Sequence, residues 1–519
     1  MSETQSFDIV VAGMGPVGKM IALMLARKGH SVLVADKKSS PYGLPRAVAH
    51  DAEIARILQS VDLHPDRMPD CVEPYDDMYI WVNGNDEILH LVDWTGIDPS
   101  GWNNVYFYNQ PGLERHINDK MFEQETLEAV RGAGVTVTGQ DTDGVDVDLV
   151  DVETGDVRKL RAKYVLGADG ANSETRRAAD ITWHDLGYFF DWLVVDVIPG
   201  AGSNVTHLAK QVADPHRPTT VVPAGPGRRR WEFMLHEGED PEAFAAPENI
   251  WKLLEAFDLN PGNAEIERGV VYRFESGWAD GWRNRRVLLL GDAAHKMPPF
   301  AGQGLAAGFR DCVNLAWKLD LVLTGQANDS LLDTYSTERT PHVSDFINFS
   351  MELGKIICIT DPEQAAARDA AMIAERESGR EPEPPPAPRL GDGLFVGETG
   401  GYLSWQGQIS VEGGAKSKFD DAFGAGALIL EVGALAANLS DAQVDDLNAL
   451  GVRVVTFGES DNPKVASFAD VDGTYAKWFS VVGERAVLVR PDFYVFGGAS
   501  SADEVAQLAT SFMSSVVAH

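Results

Sequence analysis

The segment FDIVVAGMGPVGKMIALMLARKGH, residues 7–30, constrains the fold more than any other part of the chain. Its β-branched apolar start reads as a strand buried in a parallel sheet, and the residues after the glycines carry apolar side chains at helical spacing. Gly13, Gly15 and Gly18 hold the G-x-G-x-x-G spacing between strand and helix. Gly13 permits a tight turn, Gly15 lets backbone approach a pyrophosphate, and Gly18 lets the helix close on the strand. The phosphates then sit at the helix N-terminus, beside Pro16 and Val17. A second strand, SVLVAD, ends on Asp36 and is followed by Lys37. A carboxylate about 20 residues past the turn can take the ribose hydroxyls of an adenosine. The segment reads as a dinucleotide site, with the dinucleotide still open.

Bulk properties exclude several classes. At 519 residues the chain has room for two or three domains, and its 44% hydrophobic content is that of a globular protein with no apolar run able to cross a bilayer. A formal charge of −34 argues against nucleic acid and against anionic membrane surfaces. It leaves an anionic substrate open, because exposed charges are screened beyond about 8–10 Å and local groups decide a pocket. Cys71, Cys312 and Cys358 are far apart, so neither a disulfide framework nor a metal site is expected. The N-terminus MSETQSFDIVV runs straight into the first strand without a basic and apolar leader, which points to the cytoplasm.

Two later segments repeat the glycine–aspartate strand ending. YVLGADGANSETRR closes a run of short alternating strands on Asp169 and Gly170, and RRVLLLGDAAH closes another on Gly291 and Asp292. After the second comes the turn-rich PPFAGQG, then a helix with apolar positions at Leu305, Cys312, Ala316 and Leu319. This layout suggests one nucleotide domain assembled from distant pieces, with a second domain inserted. The segment around 376–390, where charge gives way to proline, reads as an extended connector to a last α/β segment, with a domain boundary near 385–395.

Together these motifs resemble the single-component FAD-dependent aromatic hydroxylases, the family of p-hydroxybenzoate hydroxylase and phenol hydroxylase, and are most similar to the 3-(3-hydroxyphenyl)propionate hydroxylase-like subgroup. The resemblance continues through PRAVAHDAE, YNQPGLERHI, DWLVVDV, RRRWEFML and LLDTYSTERTPH. It implies an α/β fold: a p-hydroxybenzoate hydroxylase-like, Rossmann-type FAD domain over 1–75, 105–180 and 275–345, and an inserted mixed β-sheet substrate domain over 76–104 and 181–274. A helical segment and linker over 346–385 and a thioredoxin-like domain over 386–519 would follow. That last domain holds no cysteine, so a dithiol function is excluded.

The resemblance also implies roles. The first turn and Asp36 would hold FAD, with Arg46 near its pyrophosphate and Gln110 on the flavin nucleotide. Asp292 would bind ribityl or ribose. The loop Pro298, Pro299, Gly302, Gln303 and Gly304 would pass along the isoalloxazine, and the helix from Leu305 would aim its N-terminal dipole at the flavin. Asp169 and Gly170, with Ser173 and Arg176, fit the family motif tied to both FAD and a transient NADPH or NADH, and Arg46, Asp169 and Arg176 are the nicotinamide candidates. The reaction implied is hydroxylation of a phenol by O2 through a flavin C4a-hydroperoxide, ortho or para to an existing hydroxyl. The partner is a small aromatic molecule, and a homodimer is compatible with the resemblance.

Catalytic candidates are His50, Tyr188 and His207, and pocket candidates are Trp192, Trp231, Phe233, Met234 and Pro298. The plainer reading makes the aromatic residues and Met234 sheet core, both histidines structural or exposed, and His295 a residue that shapes its loop. The arginine run 228–230 reads as a solvated edge. A hydroxylase of polycyclic or polyketide phenols, a decarboxylating hydroxylase, and a non-catalytic flavin-binding protein are the alternatives. Halogenase, Baeyer–Villiger and disulfide-reductase markers are absent from the sequence.

Overall fold

A computed structural model describes residues 5–41, 43–380 and 389–518, with the side chain of Tyr188 outside the description. The first strand, Gln5–Ala12, lies in the middle of a parallel sheet. Val32–Asp36 and Leu127–Arg131 follow on one side, and Val157–Gly167 and Val287–Leu289 on the other. Ile9, Val10 and Val11 are fully buried, which explains the continuous apolar run, since helices and strands cover both faces. Helix Pro16–Arg27 starts with proline after Gly15 and packs between helices Gln110–Phe122 and Gly304–Leu323.

A second sheet of eight strands draws on distant segments. Its order is His295–Lys296, Ala264–Ala279, Trp183–Pro199, Arg229–Met234, Thr219–Pro223, Ala209–Val212, Met78–Val82 and Ile88–Asp93. Cross-strand register fixes which side chains share a face: Trp192 lies opposite Met234, Val194 opposite Glu232, and Val195 opposite Trp231. The front face, carrying Trp192 and Met234, looks toward loop 298–302. The back face, carrying Val195 and Trp231, is covered by helix Pro247–Glu255 through Ile250 and Leu254.

The expected boundary at residue 345/346 falls inside one continuous helix, Asp333–Ile357. Pro341 removes a helical donor there, and the Gly391 N–H donates to the Glu338 carbonyl at 2.9 Å from outside the helix. The connector expectation around 376–390 lies partly outside the described residues, and its start falls in the helix Pro362–Glu377.

The C-terminal sheet has seven strands in the order Lys416–Lys418, Gln408–Val411, Ala466–Asp470, Val452–Phe457, Gly426–Leu430, Ala486–Val489 and Val495–Ala499. Trp478, Phe479 and Phe468 fill one side. Leu447 and Phe512 fill the other, where Trp317 and Leu321 of the nucleotide region join the same core. This thioredoxin-like layer is therefore docked by packing on the nucleotide domain.

Candidate active site

The three glycine–aspartate turns meet at one place. A Cβ on Gly13 would lie 2.4 Å from the Ala168 carbonyl oxygen and 2.9 Å from the Asp169 Cα, so the first turn rests on the second. Val17 fills the space beside Gly291 and Gly308, where added Cβ atoms would come within 3.1 and 2.5 Å of its Cγ2. First turn, third turn and the helix from Gly304 therefore converge, which only glycine permits at these approaches.

The convergence leaves a cradle suited to an extended dinucleotide. Gly15 has open space where a Cβ would point, and its helix lacks both a side-chain cap and an acidic first-turn residue. Its first N–H groups are available to a pyrophosphate. Asp36 sits at the strand end and accepts from Met14 N at 2.9 Å and Lys38 N at 2.8 Å, which orients its carboxylate and leaves acceptor capacity. Lys37 reaches Glu174 at 3.4 Å on the surface. Asp292 is exposed in the turn Gly291–Ala293. Helix Gly304–Leu323 likewise has no side-chain cap, and Gly302 before it is in the left-handed region at φ 66 with open space beside it. These residues fit FAD.

Several expected contacts serve as struts. The Gln110 carbonyl accepts from Arg46 N at 3.0 Å and Ala47 N at 2.9 Å, and its amide donates to Glu114 at 2.8 Å. It holds the loop that carries Arg46. Asp169 takes Ser173 Oγ at 2.5 Å and the Thr175 N–H and hydroxyl at 2.9 and 3.0 Å, capping the turn that follows it. Arg176 donates to Ala293 O at 2.8 Å and Ala171 O at 3.3 Å and stacks over Trp183, bracing the second turn against the third. Its guanidinium already has these partners, which weakens the nicotinamide expectation for it. His295 pairs with Asp311 at 2.7 Å; Asp311 also accepts from Arg339 at 2.9 Å and Gly291 N at 3.0 Å. Burial opposes ionisation of Asp311, but His295 and Arg339 outweigh it and hold its carboxyl below the usual range.

The front face of the eight-stranded sheet forms an aromatic wall. Phe300, on the loop between the third turn and its helix, meets Trp192 edge-on at 5.6 Å and Phe274 at 6.3 Å. Pro298 is buried and accepts the Ser350 hydroxyl at 2.7 Å. Met234, Tyr79, Trp81 and Phe107 belong to the same cluster. The loop that starts the flavin-side helix thus also closes over Trp192 and Met234.

Four expectations are corrected. Trp231 and Phe233 lie on the back of the sheet, against Phe257 and Leu254, because side chains alternate along a strand and Met234 takes the front. His207 has a side chain 73% exposed, pairs with Asp77 at 2.7 Å, and lines a surface cleft with Tyr75 and Arg229. His50 is buried with Nδ1 on its neighbour Asp51 O at 2.9 Å and its ring stacked on Tyr106. It points to the opposite face of its small sheet from Ala49 and Phe107, which join the aromatic wall; burial pushes its pKa down and keeps it neutral. Arg229 and Arg230 are buried, against the solvated-edge reading. Arg229 donates to the carbonyls of His207 and Leu208, and Arg230 binds Asp196 at 2.7 and 2.9 Å and the carbonyls of Pro45 and Arg46 at 3.0 and 2.5 Å. The Tyr188 expectation concerns a side chain outside the described residues.

The sequence reading missed Phe274, Phe300 and Glu232 on the front face. Alternation from Met234 would have placed Glu232 there once the face was known.

Fold and converging turns define a flavoprotein of the p-hydroxybenzoate hydroxylase type. Residues 6–350 match the model of an FAD binding domain family, and residues 401–515 match the HcaD C-terminal domain. The chain is 36% identical over 513 residues to a probable NADH-specific resorcinol 4-hydroxylase of Rhodococcus jostii (strain RHA1), covering 99% of this chain and 96% of that one. It is 30% identical over 516 residues to a 3-(3-hydroxy-phenyl)propionate/3-hydroxycinnamic acid hydroxylase of Mycolicibacterium gilvum (strain PYR-GCK), covering 95% and 89%. Among solved structures it is similar to the flavin-dependent monooxygenase PieE in complex with FAD and substrate, at TM-score 0.82 and 21% identity over 98% of this chain and 99% of that one. The chain belongs to this FAD-dependent aromatic hydroxylase family.

Among the described residues no helix is long and apolar enough to cross a membrane.

Proposed function

We propose that the protein hydroxylates a small, uncharged phenol of the resorcinol type, taking its electrons from NADH and its oxygen atom from O2. The observation that carries this reading is the aromatic wall of Trp192, Phe274 and Phe300, closed by the loop that leads into the flavin-side helix. Aromatic side chains of this kind suit a flat ring, and the wall borders the segment that would pass along the isoalloxazine. The near full-length similarity to the resorcinol hydroxylase supports both ring and reductant.

Bound FAD supplies reduction by the nicotinamide and activation of oxygen. The chain supplies binding, orientation and exclusion of water. Gly15 leaves room for the pyrophosphate, Gly13 and Gly18 let turn, strand and helix close beside it, and Asp36 would hold the adenosine ribose and Asp292 the ribityl chain. Gln110 holds the Arg46 loop against this cradle. Pro298, Phe300 and Trp192 shield the ring from water, which protects reactive oxygen chemistry from hydrolysis.

The test is aerobic NADH oxidation by the FAD-loaded protein with resorcinol, phenol and 3-(3-hydroxyphenyl)propionate in parallel, followed by product mass. Stimulation with oxygenated product for resorcinol first among these supports the proposal. Preference for the propionate would assign a carboxylate-bearing substrate instead.

A further inference from the structure

Glu232 stands out on the front face. It lies in the middle of strand Arg229–Met234, opposite Val194 on one neighbour and Thr220 on the other, two residues from Met234 in the aromatic wall. It lies deep in the protein, yet 14% of its side chain is accessible. In the interior of an eight-stranded sheet, that accessibility leaves part of the side chain open on the front face rather than sealed in the core.

No described residue donates a hydrogen bond to the Glu232 carboxylate. Its nearest cation, Arg230, is 3.6 Å away and already binds Asp196 twice and the carbonyls of Pro45 and Arg46. Buried carboxylates normally have donors, because leaving their lone pairs unmet costs free energy. A donor brought by a ligand resolves this.

We propose that Glu232 accepts the hydroxyl of the phenolic substrate and removes its proton, a role that rests on the phenol hydroxylase reading above. The O–H bond of the phenol breaks, its electron pair stays on the ring oxygen, and the proton binds a Glu232 oxygen. The resulting phenolate is more electron-rich and easier to hydroxylate.

The surroundings suit a base. Burial raises the Glu232 pKa, with Arg230 opposing it, Asp196 adding to the rise and Arg268 opposing again. Tyr79, on strand Met78–Val82, is the other titratable group that feels its charge. Arg230 and Arg268 both pair with Asp196, while Nε and Nη2 of Arg268 have no hydrogen-bond partner among the described residues.

The experiment compares wild type, Glu232→Gln and Glu232→Asp as FAD-loaded enzymes, with flavin content reporting that each folds. Readouts are the pH profile of kcat/KM for resorcinol and the phenolate absorption of bound resorcinol below its solution pKa. Wild type should show phenolate on binding and an acid limb in kcat/KM. Glu232→Gln should lose both and fall about 100-fold or more. Glu232→Asp should retain the limb at reduced rate. A Gln variant with wild-type kcat/KM and pH profile overturns the role of Glu232 while leaving the phenol reading intact. A wild type that turns over no phenol overturns both.

Discussion

Tyr494 of the C-terminal domain donates its hydroxyl to Glu53 Oε1 at 2.8 Å, across 441 residues of sequence. The other Glu53 oxygen binds Arg310 Nε at 2.5 Å, and Arg310 also binds Gln303 at 2.7 Å and Asp51 at 2.5 Å. A buried chain of polar contacts thus runs from the last domain to Gln303, the residue before the flavin-side helix. Replacing Tyr494 with phenylalanine leaves a carboxylate oxygen unpaired and should cost about 1.5–3 kcal/mol, since bonds to charged groups lie at the upper end of the range. Urea unfolding checks it. The same variant should release FAD faster, because Glu53, which holds the Arg310 that binds Gln303, loses one of its two partners.

Gly15→Ala and Gly18→Ala separate cofactor binding from folding. A Cβ on Gly15 meets nothing within 4 Å, and its backbone at φ −75 suits alanine. That variant should fold normally but bind FAD about tenfold or more weakly, equivalent to about 1.4 kcal/mol. A Cβ on Gly18 would lie 2.0 Å from the Gly13 carbonyl oxygen. It should destabilise the protein by about 1–3 kcal/mol or more, from overpacking against backbone. Flavin titration and thermal unfolding on both variants distinguish the outcomes.

The three nucleotide motifs were legible in sequence because each is local: strand and glycine turn adjoin, and the acid lies in the turn or about 20 residues on. The parity of RRRWEFM was not. Alternation says that Trp231 and Phe233 share a face, but only pairing with Trp183–Pro199, set by distant chain, says which face meets Phe300. The buried state of Arg230 depends on Asp196, and the bracing of Glu53 on Tyr494, so neither leaves a local signal. The unbroken helix Asp333–Ile357 was hidden because Pro341 reads in sequence as a helix breaker, yet the helix runs through it.

The two faces of the sheet should answer differently to mutation. Trp192→Ala, on the front, should raise KM for the phenol about tenfold or more and increase NADH oxidation without product. Phe233→Leu, on the back, should cost about 1–1.5 kcal/mol of stability and leave KM within about twofold. His207→Asn, on the surface, should leave turnover unchanged within the same margin. Steady-state kinetics with product quantification reads all three.

Acid should loosen the docking of the C-terminal domain. Glu338 accepts from Arg490 at 2.8 Å on each oxygen, from Lys318 at 2.7 Å, from Asn314 at 2.8 Å and from Leu394 N at 2.8 Å. Burial alone would raise its pKa, but Arg490 and Lys318 outweigh that and hold it far below the carboxylate range. A pKa depressed by folding gives stability that is complete above the unfolded value of about 4.3 and is lost as pH falls toward the folded one. Arg490→Met should cost about 3–5 kcal/mol at neutral pH by stranding Glu338 and Asp492. Its deficit against wild type should narrow as pH drops below about 4, in unfolding curves taken at each pH.

The most direct test of the central claim is a single turnover of NADH-reduced, FAD-loaded protein with resorcinol under isotopically labelled O2, with product mass as readout. The account predicts a trihydroxybenzene carrying one labelled oxygen. Label entering only from water, or quantitative flavin reoxidation with resorcinol unchanged, would contradict it.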